Sequence, residues 1–113
     1  MKGFKDDSNK LQWHLMPWEP LQEVVKVLMF GAKKYAPDNW QHVDNAQERY
    51  FNAAARHLIA YKIGITKDEE SNLPAVAHSI CCLLFLLWHD SRPPKGKSLM
   101  RVFKEYDCLI SHF

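Results

Sequence analysis

The stretch from Gly64 to Ser79, GITKDEESNLPAVAHS, constrains this chain most. A tyrosine- and alanine-rich segment with helical spacing runs into Gly64, a strong C-terminal helix stop. Asp68, Glu69 and Glu70 follow in a row, and then Ser71 and Asn72. Pro74 suits a first helical position, with Asn72 or Leu73 before it as the cap. His78 falls one turn into the new helix, just ahead of the apolar run Ile80 to Trp88. An acid-rich turn pinned between two helices, faced by a histidine, is a place to hold a metal ion or a polar ligand. The same residues also suit a solvated loop whose acids complement a helix dipole.

The rest of the chain reads as helix. Leu21, Val24, Val25, Leu28 and Ala32 recur at three- and four-residue steps from Pro20 to about Tyr35. Glu23, Val27, Phe30 and Lys34 form a second face of that helix. Pro37, Asp38 and Asn39 end it, and a second helix spans roughly Ala46 to Ile63. The third, about Pro74 to Asp90, is apolar nearly all round and should be the central one. SRPPKGKS (91–98) reads as a linker before a short fourth helix, about Leu99 to Ile110. Ahead of them all, Trp13, Leu15, Met16 and Trp18 should pack an extended N-terminal arm on the body, because Pro17 and Pro20 discourage helix there. No alternating strand pattern is present. The expected fold is all-α: one domain over residues 1–113, a compact bundle of about four helices with an extended arm.

Composition narrows the function. A formal charge of +2 in 113 residues argues against nucleic-acid binding. Met1 to Lys10 lacks the apolar core of a signal peptide, and Ile80 to Trp88 is about half a membrane span. Cys81, Cys82 and Cys108 suggest no disulfide framework, so the expected location is the cytoplasm, with no membrane partner. Exposed aromatic residues on a small domain point to a homo-oligomer.

Several side chains suit phosphate or base contacts. Lys33, Lys34 and Tyr35 close the first helix, and Asn39 and Trp40 follow it. The lysines can neutralise phosphates and Trp40 can stack a base, or they can complement a helix dipole and form a core lid. Arg56 can grip a phosphate bidentately or pair on the surface. His57 suits a base or ligand, and equally a hydrogen-bonded core position. A zinc site is poorly supported, since no CxxC is present. Glu23, Asp68 and Glu70 suit magnesium or manganese better, with nucleotide phosphates completing the shell.

The order of these blocks is more specific than any one of them. FGAKKYAPDNW (30–40), RHLIAYKIG (56–64) and DEESNLPAVAH (68–78) resemble a family found mostly in bacteriophages, the N-terminal domain of dATP/dGTP diphosphohydrolase. That family's usual pattern runs D-x-G-K, an acid-bearing helix, FGAxKY, NW, RH and GExxDxESG followed by HxxH. Asp7, Asn9 and Lys10 lie where D-x-G-K opens the pattern, and the resemblance covers about residues 5 to 90. It implies a fold like the MazG-type nucleotide pyrophosphohydrolases and a nucleotide as the partner, in a host cytoplasm if the chain is phage-encoded. Glu23, Asp68 and Glu70 would then hold magnesium or manganese, His57 and His78 would handle protons, and Lys10, Lys33, Lys34, Tyr35, Asn39, Trp40 and Arg56 would contact the nucleotide.

There are departures. Ile65 stands in place of the usual Glu, Ala75 in place of the first His of HxxH, Asn72 in place of Gly and Asn9 in place of the Gly before Lys10. Neither Ile nor Ala can bind a cation or move a proton. Two readings follow: a metal-dependent pyrophosphohydrolase releasing pyrophosphate from purine deoxynucleotides, or a relative with impaired catalysis. The second would sequester a nucleotide or cyclic nucleotide signal as a phage anti-defence device.

Overall fold

A computed structural model describes residues 2–92. It contains three α-helices: α1 (Trp18–Lys34), α2 (Ala46–Lys62) and α3 (Ala75–Asp90). Single 3-10 turns lie at Trp13–Leu15 and Asn39–His42, and the described residues form no β-strand beyond one isolated bridge. The all-α expectation holds. The linker and the fourth helix expected near Leu99 to Ile110 lie outside the described residues.

α3 is the central helix, packing on both α1 and α2 and on the Asn39–His42 turn. Val24 and Val27 of α1 meet Ala77 and Cys81 of α3 in the core, with Leu21, Leu28, Leu73 and Phe85 around them. The stripe expected on α1 is therefore rotated: Val27 is buried and Val25 is exposed. Two hydrophobic faces were available on that helix, and only the docking of α3 chooses between them. Small residues bring α2 and α3 close. Ala54 is buried, and the Ser79 hydroxyl donates to its carbonyl at 2.8 Å. α3 is not buried all round, however. Ile80, Leu83, Leu84 and Leu87, spaced i, i+3, i+4 and i+7, form a stripe exposed among the described residues.

The helix ends follow local chemistry. α2 closes in a Schellman motif, with Ile65 N–H donating to Ala60 O at 2.8 Å and Gly64 N–H to Tyr61 O at 3.1 Å. Gly64 has φ +101°, where a side chain would be strained. α1 begins at Trp18, so Pro20 falls inside its first turn, where a missing N–H costs nothing. At α3, Pro74 is itself the N-cap with extended backbone, rather than the first helical residue. The arm also differs from expectation: Trp13 (63% exposed) and Leu15, like Trp18 at the start of α1, stay more than half exposed among the described residues. The arm's residues instead line a shallow apolar groove of their own, about 330 Å³, from Leu11 to Pro17.

Candidate active site

The C-terminal end of α1, the following loop, α2, the acidic turn and α3 enclose a cavity of about 660 Å³. Lys34, Tyr35, Asn39, Trp40, Arg56, His57, Asp68, Glu70 and His78 all line it. Most of the residues singled out from the sequence thus share one wall, although they come from separate segments. Lys10 and Lys33 are exposed and lie off that wall.

The acidic turn is tightly built. Asp68 N–H donates to Leu73 O and Asn72 N–H to Asp68 O, both at 2.8 Å, while Ala75 N–H reaches Thr66 O at 2.9 Å. Asn72 sits at φ +58°. That left-handed conformation suits glycine, and asparagine tolerates it better than most residues, so Asn72 can replace the family's Gly without rebuilding the turn. The Ser71 N–H and hydroxyl both donate to Asp68 Oδ2, at 2.9 and 3.0 Å. His78 Nε2 lies 2.7 Å from Ser71 Oγ and 3.7 Å from Asp68 Oδ2. The His57 ring stacks on His78 at 4.7 Å and 21°, and Phe30 meets His78 edge-on.

These surroundings set the charges. Burial pushes both imidazoles below the usual histidine value; His78 pushes His57 down further, while Asp68 and Glu70 partly oppose the shift at His78. Both rings are therefore neutral near pH 7 and able to accept a proton. At Asp68, burial acts to raise the carboxyl, but the Ser71 donors and then His78 outweigh it and hold it below the usual carboxylate range. Lys34 Nζ grips Glu70 at 2.8 and 3.0 Å, and that bond raises the lysine further. Cys81 and Cys82 are pushed up by burial, to about 12 and about 11, so neither supplies a thiolate.

The far end of the cavity is aromatic. Trp40 stacks on Phe85 at 4.6 Å and 12°, and Trp88 and Tyr50 pack edge-on against that pair. The His89 Nε2–H donates to Trp40 O at 3.0 Å, tying the loop to α3. One face of Trp40 is thus taken by Phe85, so Trp40 is first of all a lid on the core. Sequence reasoning gave no role to Phe85, Tyr50 or Ser71 at the site. For Ser71 a signal existed, since a serine just ahead of a helix bonds readily to nearby backbone.

The carboxylates expected to bind a metal are not all brought together. Glu23 pairs with Lys26 at 2.8 Å and does not line the cavity. Among the described residues no group of three or more His, Cys, Asp or Glu side chains is placed to hold an ion. Glu23 shares a helix face with Val27, Phe30 and Lys34, which do line the cavity, but it lies one turn nearer the N-terminus, and the cavity opens at the C-terminal end of α1. Asp68 and Glu70 remain on the wall. Two carboxylates suit magnesium, which fills its shell with water and substrate phosphate, but they make no protein cage. Ile65 (54% exposed) and Ala75 (1%) are not on the wall either. These two of the four departures from the family pattern therefore lie off the described cavity.

The family model for the N-terminal region of dATP/dGTP diphosphohydrolases matches residues 1–98. The chain belongs to this family. A dATP/dGTP diphosphohydrolase of Salmonella phage PMBT28 is 33% identical over 88 residues, which cover 78% of this chain and 30% of that protein. The matched region thus spans less than a third of the relative's length. No solved structure matches significantly. No helix among the described residues is long and apolar enough to cross a membrane.

Proposed function

We propose that the cavity binds a purine deoxynucleoside triphosphate and that the domain hydrolyses it to the monophosphate and pyrophosphate. The observation that carries this reading is the single wall shared by Lys34 and Arg56, the carboxylates of Asp38, Asp68 and Glu70, and two neutral histidines. Arg56 and Lys34 take phosphate oxygens, the guanidinium as a planar fork and the ammonium once it leaves Glu70. Tyr35, Asn39 and Trp40 border the sugar and base. Asp68 and Glu70 would hold a magnesium or manganese ion, whose contribution is to offset phosphate charge. His78, or His57 stacked on it, takes a proton from water as the new O–P bond forms at the α-phosphorus. The bond from that phosphorus to the β-phosphate oxygen breaks, and pyrophosphate carries away the electron pair.

The test is chromatography of each deoxynucleotide after incubation with the protein and magnesium. Monophosphate and pyrophosphate in equal amounts, lost in His78→Gln, are expected. Their absence from the wild-type reaction sinks the enzyme reading. The position of Glu23 outside the cavity favours a second reading, in which the same wall holds a nucleotide, linear or cyclic, without turning it over. Calorimetric binding with intact ligand recovered is its signature, and sequestering a host defence signal would be a natural use.

We also infer that the domain self-associates. Among the described residues the stripe Ile80, Leu83, Leu84 and Leu87 on α3 is exposed, as are Phe51 and Leu58 on α2, and water disfavours so many uncovered apolar side chains. Light scattering should give more than one chain per particle, and Leu83→Lys with Leu87→Lys should reduce the mass to that of a monomer. A monomeric wild type contradicts this.

A further inference from the structure

We propose that Ser71 is a positioning residue: it locks His78 with its hydrogen on Nε2, leaving Nδ1 as the bare ring nitrogen. The hydrogens available around Ser71 Oγ fix this arrangement. A serine hydroxyl has one hydrogen to give and two lone pairs to offer. Three partners lie within bonding distance of Ser71 Oγ: Asp68 Oδ2 at 3.0 Å, Leu73 N–H at 3.2 Å and His78 Nε2 at 2.7 Å. A carboxylate only accepts, so the hydroxyl hydrogen goes to Asp68. A backbone N–H only donates, so Leu73 takes one lone pair. The remaining lone pair needs a hydrogen, and Nε2 must carry it. The chain therefore runs from His78 Nε2–H to Ser71 Oγ–H to Asp68 Oδ2.

This order separates the group from the nucleophilic serine that the same residue types suggest. In a nucleophilic triad the hydroxyl donates to the imidazole, and the carboxylate holds the ring's other nitrogen. Here serine stands in the middle, with its hydrogen committed to the carboxylate and both lone pairs filled. Ser71 does not attack substrate; it holds the ring. The holding is rigid, because the Ser71 N–H also bonds Asp68 Oδ2 at 2.9 Å and the turn is closed by the backbone bonds around Asn72. Stacking by His57 and the edge contact from Phe30 restrain the ring plane. The assignment of Nε2–H rests on geometry alone; its kinetic consequence rests on the proposed hydrolysis.

The experiment is long-range proton–nitrogen NMR on histidine-labelled protein at pH 8, with His78 assigned through His78→Gln. Wild type should show one His78 tautomer, and its Nε2-bound proton should be visible because the hydrogen bond slows exchange. Ser71→Ala should lose that proton signal and relax toward a mixture of tautomers, while Ser71→Thr should keep the wild-type pattern. A wild-type ring protonated on Nδ1, or an unchanged His78 signal in Ser71→Ala, overturns the proposal. The wild-type spectrum decides the first point even if Ser71→Ala fails to fold. In kinetics, Ser71→Ala should lower kcat about ten-fold or more with KM little changed, and loss confined to KM contradicts a positioning role. A wild type that hydrolyses nothing refutes the proposed function but leaves the tautomer result standing.

Discussion

The two ends of the cavity are built on different physics. At the acidic turn, Asp68, Ser71 and His78 are held by directional hydrogen bonds at stated atoms. At the other end, Trp40, Phe85, Tyr50 and Trp88 are held by contact between rings. Hydrogen bonds determine where protons and charges sit, but each contributes only about 1 kcal/mol net. Ring contacts bury large areas and stabilise more, but they leave atom positions less defined. The aromatic end should therefore carry stability and the polar end chemistry.

Phe85→Ala gives the sharpest break in that division. Phe85 touches both the core cluster and Trp40. Its loss should cost about 3 kcal/mol in urea unfolding, far more than any change at the polar end. A drop below 1 kcal/mol would make the aromatic end dispensable.

Binding should show the opposite pattern. Arg56→Ala should weaken nucleotide affinity about ten- to a hundred-fold, the worth of a charged hydrogen bond, with helical content unchanged. Lys33→Ala, off the wall on the same stretch of sequence, should change it little. Equal effects would move the phosphate site elsewhere, and unfolding of Arg56→Ala would make the arginine structural.

Acid should act through the polar end alone. His57 and His78 both titrate lower in the folded protein than in the unfolded chain, mainly because they are buried. The unfolded state then binds more protons, so their contribution to stability is complete above about pH 6.5 and is lost as pH falls through the folded values. The melting temperature should decline between pH 7 and 5, and His57→Gln with His78→Gln should flatten that decline. An unchanged slope in the double variant would place the acid sensitivity elsewhere.

The smallest effect concerns the turn itself. Asn72→Ala should cost about 1 kcal/mol, because alanine resists φ +58°. Asn72→Gly should fall within about 0.5 kcal/mol of wild type. Calorimetric unfolding measures both, and a neutral Asn72→Ala would mean that the turn relaxes.

Much of this was legible in the residues. The boundaries of α2 and α3 follow from Gly64, Pro74 and the helical spacing of apolar residues, since caps and periodicity are local properties. The ordered blocks from Phe30 to His78 pointed to the family, and Lys34, Arg56, His57, Asp68, Glu70 and His78 do share a wall. Glu23 did not follow, and neither did the packing of the arm. A helix of alternating faces does not reveal which face its neighbours will cover. That Val27 would be buried depends on Ala77 and Cys81, which lie far along the chain, and that Glu23 would miss the cavity depends on where along α1 the other segments gather. The bonds around Ser71 likewise need the tertiary turn, which brings a hydroxyl and an imidazole seven residues apart to 2.7 Å. The sequence by itself determined the helices, their stops and the inventory of charged groups, because those depend on neighbours a few residues away. Only the tertiary structure decided which of those groups meet, because that depends on how α1 and α2 dock against α3.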